Sequence, residues 1–260
     1  MNAVISDIIR TTKLTELWMH LGWSEVERRY RRTLLGPLWH TLTIAVFILS
    51  MGLIWASVLN IDFREFVFHL TPSLIAWSLI SSVIVEATSV FLRAKQTVLT
   101  VNLPYPVLVL GLVWKLVISF AHHLSLMVIL MVVYETPPSF NQLFLIPGLA
   151  LVMLNSVWIV MLVGIICLRF RDLQMFISVA MNIAQFVTPV YWPVERIAPS
   201  LGWVVQYNPL YHQLQLIREP LAGRAPDIEN WLWGLSMLAV GLTITAVTYT
   251  LSRKRLAYWF

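Results

Sequence analysis

Long stretches of apolar residues dominate this sequence and determine what kind of structure it can form. The stretch 38–59 contains no Asp, Glu, Lys or Arg, and a helix needs only about 20 apolar residues to cross a bilayer. Similar runs recur and predict six spans, at about 38–60, 66–92, 105–134, 143–168, 174–192 and 231–252. The fifth should be distorted near its end, because Pro189 and Pro193 cannot continue a helix. The pattern predicts an all-α integral membrane protein with six transmembrane helices.

The composition supports this prediction. Hydrophobic residues make up 58% of the chain and charged residues only 12%, which is unusual for a soluble domain. The single cysteine, Cys167, excludes an intrachain disulfide bond and any site with several cysteine ligands. We therefore expect no metal site, no catalytic residue and no cofactor-binding residue in this chain.

The basic residues predict the orientation of the spans, because Lys and Arg accumulate in cytoplasmic loops. Most of the 18 lysines and arginines fall in the two terminal segments and in the second and fourth loops, which the six spans place on one side. Arg64, Arg196, Arg218 and Arg224 fall on the other side. The bias predicts that both termini lie in the cytoplasm.

Residues 1–36 are predicted to form a cytoplasmic amphipathic helical hairpin, and residues 37–260 a single six-span domain. Leu14, Leu17 and Leu21 recur at helical spacing, which indicates a helix lying in the membrane interface. Ser24 and Glu27 have the spacing of a capping box, so a second helix is expected to begin near Glu25. The tail could serve only as a lipid anchor, or it could also dock a cytoplasmic partner.

Two segments outside the spans are also expected to be helical. Residues 93–103 can form a short helix before Pro104, either as an ordinary connector or as a lever that carries force into the spans. Residues 193–230 are too apolar for a free loop and too interrupted for a full span. Two short helices that re-enter the outer leaflet between spans five and six would fit this pattern, and they would form a candidate gate.

Several polar and aromatic residues are candidates for lining or gating a channel. Glu86 and Lys115 lie at similar depth in spans two and three, so they could pair as a structural ion pair or line a polar conduit. Five aromatic residues of the outer segment could stack on sugar rings or could form an interfacial belt. They are Tyr191, Trp192, Trp203, Tyr207 and Tyr211.

Seven short motifs resemble, in matching order, the permease subunits of ATP-binding-cassette polysaccharide exporters. The sequence is most similar to the O-antigen lipopolysaccharide export permeases of that family. The motifs are RYRRTLLGPLW at 29–39, NLPY at 102–105, RFRD at 169–172, TPVYWP at 188–193, NPLYH at 208–212, REPLAG at 218–223 and RLAYW at 255–259.

The resemblance implies a homodimer in the bacterial cytoplasmic (inner) membrane, with a translocation channel between its subunits. It also implies two ATPase subunits that use ATP and Mg²⁺, and a cargo of undecaprenyl-diphosphate-linked polysaccharide. No partnership with nucleic acid is expected. The chain lacks a Gly-x-x-x-x-Gly-Lys-Ser/Thr motif, so nucleotide chemistry is assigned to the partner.

Two groups of residues are implied as sites. The ATPase subunits would contact the tail and the 93–103 helix at Trp18, Trp23, Arg93, Lys95, Gln96, Thr97 and Asn102. Arginine matches phosphate oxygens with two parallel hydrogen bonds, so a cluster at the entry to the first span could attract the lipid diphosphate or headgroups. It comprises Arg28, Arg29, Arg31 and Arg32.

Other functions remain open from the sequence. A permease of the same family could carry capsule polysaccharide, teichoic acid or a drug. A membrane enzyme acting on lipid-linked sugars would need convergent acidic or histidine groups, and the spans supply only Glu86, Lys115 and the pair His122 and His123. A proton-coupled carrier is also conceivable, although no inverted repeat is visible.

Overall fold

The computed structural model describes residues 2–31, 33–34, 36, 38–60, 62–101, 103–194 and 198–260. Within these ranges the regular structure is helical and contains no strand, which confirms the predicted all-α class. The α-helices are α1 (Asn2–Lys13), α2 (Thr15–Tyr30), α3 (Leu38–Leu59), α4 (Phe63–Ala87), α5 (Val90–Arg93), α6 (Lys95–Thr100), α7 (Tyr105–Val133), α8 (Leu145–Arg169), α9 (Leu173–Val187), α10 (Gly202–Gln206), α11 (Pro209–Leu221) and α12 (Ile228–Ser252).

Five helices in the described part of the chain are long and apolar enough to cross a membrane: α3, α4, α7, α8 with the preceding 3₁₀ turn, and α12. The sixth apolar helix, α9, has 15 residues, or about 22 Å at 1.5 Å per residue. It ends at Val187 because Thr188 takes the extended backbone that a following proline requires. The number of six membrane spans stays a prediction.

Helix α4 forms the centre of the bundle and contacts α3, α7, α8, α9 and α11. About two thirds of its apolar window is buried, against 22% for α3 and 17% for α12. Phe66, Leu70 and Ile75 of α4 are almost completely enclosed. Helices α3 and α12 therefore leave broad apolar faces uncovered, as expected of surfaces that meet lipid or another membrane subunit.

The segment between α9 and α12 is packed into the bundle. The predicted pair of short helices is present as α10 and α11, and α11 contacts α4, α8 and α12. Its His212 is 2% exposed and has ring-nitrogen hydrogen bonds with Asn230 Oδ1 and the Gln206 carbonyl oxygen, both 2.8 Å long. The placement of this segment within a bilayer, as a re-entrant element, stays a prediction.

The tail differs from the expected hairpin boundaries. Helix α2 continues through Gly22 and Ser24 to Tyr30, and the break between α1 and α2 lies at Leu14. The Ser24 hydroxyl donates to the carbonyl oxygen of Leu21 at 2.9 Å instead of capping a new helix, so the predicted start near Glu25 is wrong. The tail makes its most extensive contact with α7, and this packing overrides the local capping signal.

Both terminal segments gather at one end of the bundle. Lys95 Nζ and Arg171 Nη2 donate to the backbone oxygen of Phe260 at 2.6 and 3.3 Å. Asp7 of α1 pairs with Arg253, immediately after α12. The loops before α7 and before α9 therefore meet both termini there, while α4 and α12 begin at the opposite end.

Candidate functional site

A group of four charged residues links the tail to three helices of the bundle. Lys115 of α7 is 6% exposed, and its ammonium group forms a close ion pair with Glu86 of α4. The same Nζ lies 3.3 Å from Glu25 Oε2 of α2. Arg93 Nη2 of α5 lies 3.6 Å from Glu86 Oε2. We call these residues the Lys115 network. They confirm that Glu86 and Lys115 pair, and they add two partners that sequence reasoning missed.

Two glycines make this network possible. A Cβ atom on Gly22 would lie 2.5 Å from the carbonyl oxygen of Gly111, so α2 and α7 approach each other almost backbone to backbone. Glu25 follows Gly22 by three residues and Lys115 follows Gly111 by four, which places both on the contacting faces. One turn after each glycine comes a charged residue, an acid after Gly22 and a base after Gly111. This pairing of glycines with opposite charges is the sequence signal that could have predicted the contact.

A small polar cleft adjoins the network. It has a volume of about 20 Å³ and is bordered by Glu86, Tyr30, Ser78, Ser119 and His123. Such a volume accommodates about one water molecule. The contacts of Glu86 and Lys115 are those of a structural ion pair, and their proposed role in lining a conduit stays a prediction.

The residues predicted to contact an ATPase fall into two groups. Trp18 packs edge to face against Trp114, with ring centroids 6.3 Å apart, so its ring serves the α2–α7 contact. Trp23 is 56% exposed. The remaining described members are exposed around α5 and α6, at the end of the bundle where the termini meet: Arg93, Lys95, Gln96 and Thr97. Asn102 lies outside the described residues.

The arginine cluster lies at the end of α2. Arg28 is exposed and its Nε donates to the Ser24 carbonyl oxygen at 3.2 Å. Arg31 is exposed directly after the helix. The side chain of Arg29 and the whole of Arg32 lie outside the described residues. A role of this cluster in binding a diphosphate stays a prediction.

A second charged contact joins the two ends of the chain, and sequence reasoning missed it. Tyr249 OH donates to Asp7 Oδ2 at 2.7 Å, and Arg253 Nε and Nη2 donate to the Asp7 carboxylate at 2.5 and 2.9 Å. Burial raises the pKa of Asp7, but the hydrogen bonds from Arg253 and Tyr249 outweigh that effect and hold the pKa below its ordinary value. Asp7 is therefore ionised at neutral pH, and α1 is fastened to the end of α12.

The five candidate aromatics of the outer segment have different environments. Tyr191 packs against Phe47 and Phe186, with ring centroids 6.0 and 5.4 Å apart. Trp192 donates from Nε1 to the Phe186 carbonyl oxygen at 3.0 Å. Trp203 and Tyr207 are 61% and 66% exposed. Tyr211 borders a cavity, so among the five it is the one placed to contact a molecule bound there. Gating by these residues stays a prediction.

This cavity lies at the end of the bundle opposite both termini. It has a volume of about 680 Å³ and is bordered by the first turns of α4, by residues 193–194, by α11 and by residues that follow α11. We call it the α4–α11 cavity. Its polar walls include Glu65, His69, Gln215, Arg218, Glu219 and Asp227. Arg218 is 5% exposed and donates from Nη1 to the Pro189 carbonyl oxygen at 2.9 Å.

Comparison with known proteins identifies the family. Residues 16–221 match the ABC-2 type transporter family. The chain belongs to this family. It is a multi-pass membrane protein of the permease type, and the resemblance seen in the sequence motifs is confirmed.

Similar proteins have names that indicate a particular cargo. An O-antigen export system permease protein RfbA of Klebsiella pneumoniae is 22% identical over 236 residues, covering 89% of this chain and 91% of the relative. A protein of the same name from Myxococcus xanthus is 25% identical over 236 residues, covering 85% and 90%. The similarity extends over nearly the whole length of each protein.

Proposed function

We propose that this chain is the membrane-spanning permease of an ATP-driven exporter that moves O-antigen polysaccharide across the bacterial inner membrane. The observation that carries the proposal is its membership of the ABC-2 family together with similarity, over most of the chain, to O-antigen export permeases. In this proposal the cargo is linked to undecaprenyl diphosphate, and the channel forms between two copies of the chain.

ATP hydrolysis, with its Mg²⁺, belongs to a partner subunit in this proposal. The partner would bind where exposed residues of α2, α5 and α6 surround the end that carries both termini, which we place in the cytoplasm. Trp23, Lys95 and Gln96 are accessible there. Closure of the ATPase pair would push on α5 and α6, and the Lys115 network would pass the movement to α4 and α7.

The charge of the same region suits an anionic lipid head. Arg28 and Arg31 are exposed where the tail leads into α3, and guanidinium groups bind phosphate oxygens in a bidentate manner. We propose that the cluster attracts the diphosphate as the cargo enters. Capsule polysaccharide, teichoic acid or a drug is the alternative cargo, and a membrane enzyme acting on lipid-linked sugars is the alternative from a different class.

The function can be tested by deleting the reading frame in its own bacterium and measuring surface lipopolysaccharide together with lipid-linked glycan. We expect long-chain lipopolysaccharide to disappear from the surface while lipid-linked glycan of unchanged structure accumulates inside. A strain with a hydrolysis-deficient ATPase partner should show the same phenotype, and the restored wild-type gene should reverse it. Normal surface O-antigen would contradict the proposal, and a glycan of altered structure would favour the membrane enzyme.

A further inference from the structure

The α4–α11 cavity has the size and position of a ligand site that the coupling contacts do not use. Its volume of about 680 Å³ falls within the range of about 300–1,000 Å³ typical of small-molecule sites. It lies at the far end of the bundle from the Lys115 network and the exposed helices α5 and α6. A molecule bound here would therefore contact the permease at the end opposite the proposed ATPase.

The charges around the cavity compensate one another. Arg224 Nε and Nη2 donate to the Glu219 carboxylate at 2.6 and 3.2 Å. Arg218 Nε lies 3.5 Å from Glu219 Oε1. Glu65 and Asp227 add further carboxylates to the wall. Because neither sign dominates, the cavity does not favour a diphosphate or another polyanion. It suits an uncharged ligand that both donates and accepts hydrogen bonds.

An aromatic surface and an amide lie side by side in the wall. Tyr211 borders the cavity, and its hydroxyl oxygen accepts a hydrogen bond of 2.7 Å from Gln215 Nε2. Phe68 lies on the opposite wall, in α4. Aromatic carbon next to amide, carboxylate and guanidinium groups can bind a sugar, whose ring presents apolar C–H bonds on its faces and hydroxyl groups at its edges.

Gln215 of the same wall carries a polar atom that lacks a partner. The residue is 6% exposed, and within the described part of the chain its Oε1 is buried without a hydrogen-bond partner. Exchanging the amide oxygen and nitrogen would leave the nitrogen in that position instead, so either orientation has one unsatisfied polar group. Buried polar groups normally have a partner, and rotation of the amide toward the cavity would let a ligand hydroxyl supply it, as donor or as acceptor.

We propose that the α4–α11 cavity is a binding site for an uncharged oligosaccharide segment, with Gln215 and Tyr211 as the residues that recognise its hydroxyl groups. The assignment rests on the proposed function, because that function supplies a glycan cargo. It deepens the function by giving the permease its own contact with the sugar chain, separate from the lipid head.

The test is a binding titration on the chain in lipid nanodiscs, co-purified with its ATPase subunit. The probe is a set of oligosaccharides released by mild acid from the O-polysaccharide of the host strain. Wild type should bind the oligosaccharides. Gln215→Leu and Tyr211→Phe should each raise the Kd by about tenfold or more, as expected for a hydrogen bond lost in a desolvated site. Inorganic pyrophosphate, the second probe, should not compete.

Gln213→Leu is the matched control. Gln213 lies on the same helix, is 4% exposed and likewise has an Oε1 without a hydrogen-bond partner among the described residues, but it borders a different cavity, where its Nε2 contacts Met237 Sδ. This variant should bind like wild type, and thermal unfolding of each variant checks that the helix remains folded. Tyr211→Phe retains the ring and so separates recognition from packing.

Three results would overturn the assignment: wild type that binds no oligosaccharide, equal affinity of wild type and Gln215→Leu, or displacement of the oligosaccharide by pyrophosphate. The deletion experiment distinguishes this failure from failure of the function. If deletion abolishes surface O-antigen but any of these three results is found, the cavity assignment fails alone. If deletion leaves surface O-antigen intact, the proposed function itself fails.

Discussion

Lys115 is the residue on which the attachment of the tail to the bundle depends most directly. A buried ammonium group is costly unless carboxylates compensate it, and here Glu86 and Glu25 provide two. Removing the cation would leave two carboxylates of different helices facing each other across its place. The charge therefore acts as a bridge, and its loss affects α2, α4 and α7 together.

We predict that Lys115→Met destabilises the folded protein by about 3–5 kcal/mol, the usual cost of breaking a buried ion pair from one side. Thermal unfolding in detergent measures the change. The double variant Lys115→Met with Glu86→Gln should recover part of the loss, because it also removes the α4 carboxylate that Lys115 no longer neutralises. Arg93→Gln is the control, and at an exposed side chain we expect it to cost less than about 1 kcal/mol. Equal stability of Lys115→Met and Arg93→Gln would contradict the role assigned to Lys115.

The pairing of Glu86 with Lys115 could be predicted, because charged side chains at similar depth in adjacent spans must find a partner or water, and opposite charges can partner each other. The participation of Glu25 could not be predicted from amphipathicity alone. A helical pattern shows which face of α2 is apolar, but it does not show that Gly22 allows contact with the backbone of α7. The Asp7–Arg253 contact joins residues at opposite ends of the chain. A local sequence pattern cannot predict a contact between residues so far apart in sequence.

At the scale of helices, the close approach of α2 and α7 explains why the tail is a packed element rather than a separate hairpin. Its contact surface includes Trp18, Gly22 and Glu25, which face Trp114, Gly111 and Lys115. The capping-box spacing at Ser24 was outweighed, because ending the helix there would remove part of this surface. By contrast, the end of α9 before Pro189 was predictable, since that restriction is purely local.

Gly22→Ala tests the helix contact. Alanine would favour the helix by about 1 kcal/mol over glycine, but its Cβ would lie 2.5 Å from a backbone oxygen that cannot rotate away. The clash should therefore outweigh the gain in helix propensity and lower the free energy of unfolding by about 1–3 kcal/mol, which is typical of overpacking. Gly202→Ala is the control, because its Cβ would meet nothing within 4 Å. Thermal unfolding compares the two, and a Gly22→Ala variant as stable as Gly202→Ala would refute the contact.

For the whole molecule, the arrangement separates two kinds of surface. One end carries both termini, α5, α6 and the Lys115 network, and the other carries the α4–α11 cavity. Apolar helix faces without charge lie between them. Five of the six predicted spans correspond to helices of membrane-spanning length in the described part of the chain, and they were readable from hydropathy because a bilayer-length helix has a strong signal in sequence. The cavity was not, since its walls come from α4 and α11, whose residues are more than a hundred positions apart.

The orientation of these two ends across the membrane gives the final prediction. The distribution of Lys and Arg predicts that the end with the termini lies in the cytoplasm. A Lys95→Cys variant, at an exposed position, should therefore react with a membrane-impermeant maleimide only in inverted vesicles. A cysteine at exposed Glu229, in the first turn of α12, should react in intact spheroplasts. Native Cys167 is completely buried, so the unmodified chain should give little background, and Cys167→Ser checks this. Labelling of Lys95→Cys in spheroplasts would contradict the predicted orientation and would show that the α4–α11 cavity lies on the cytoplasmic side.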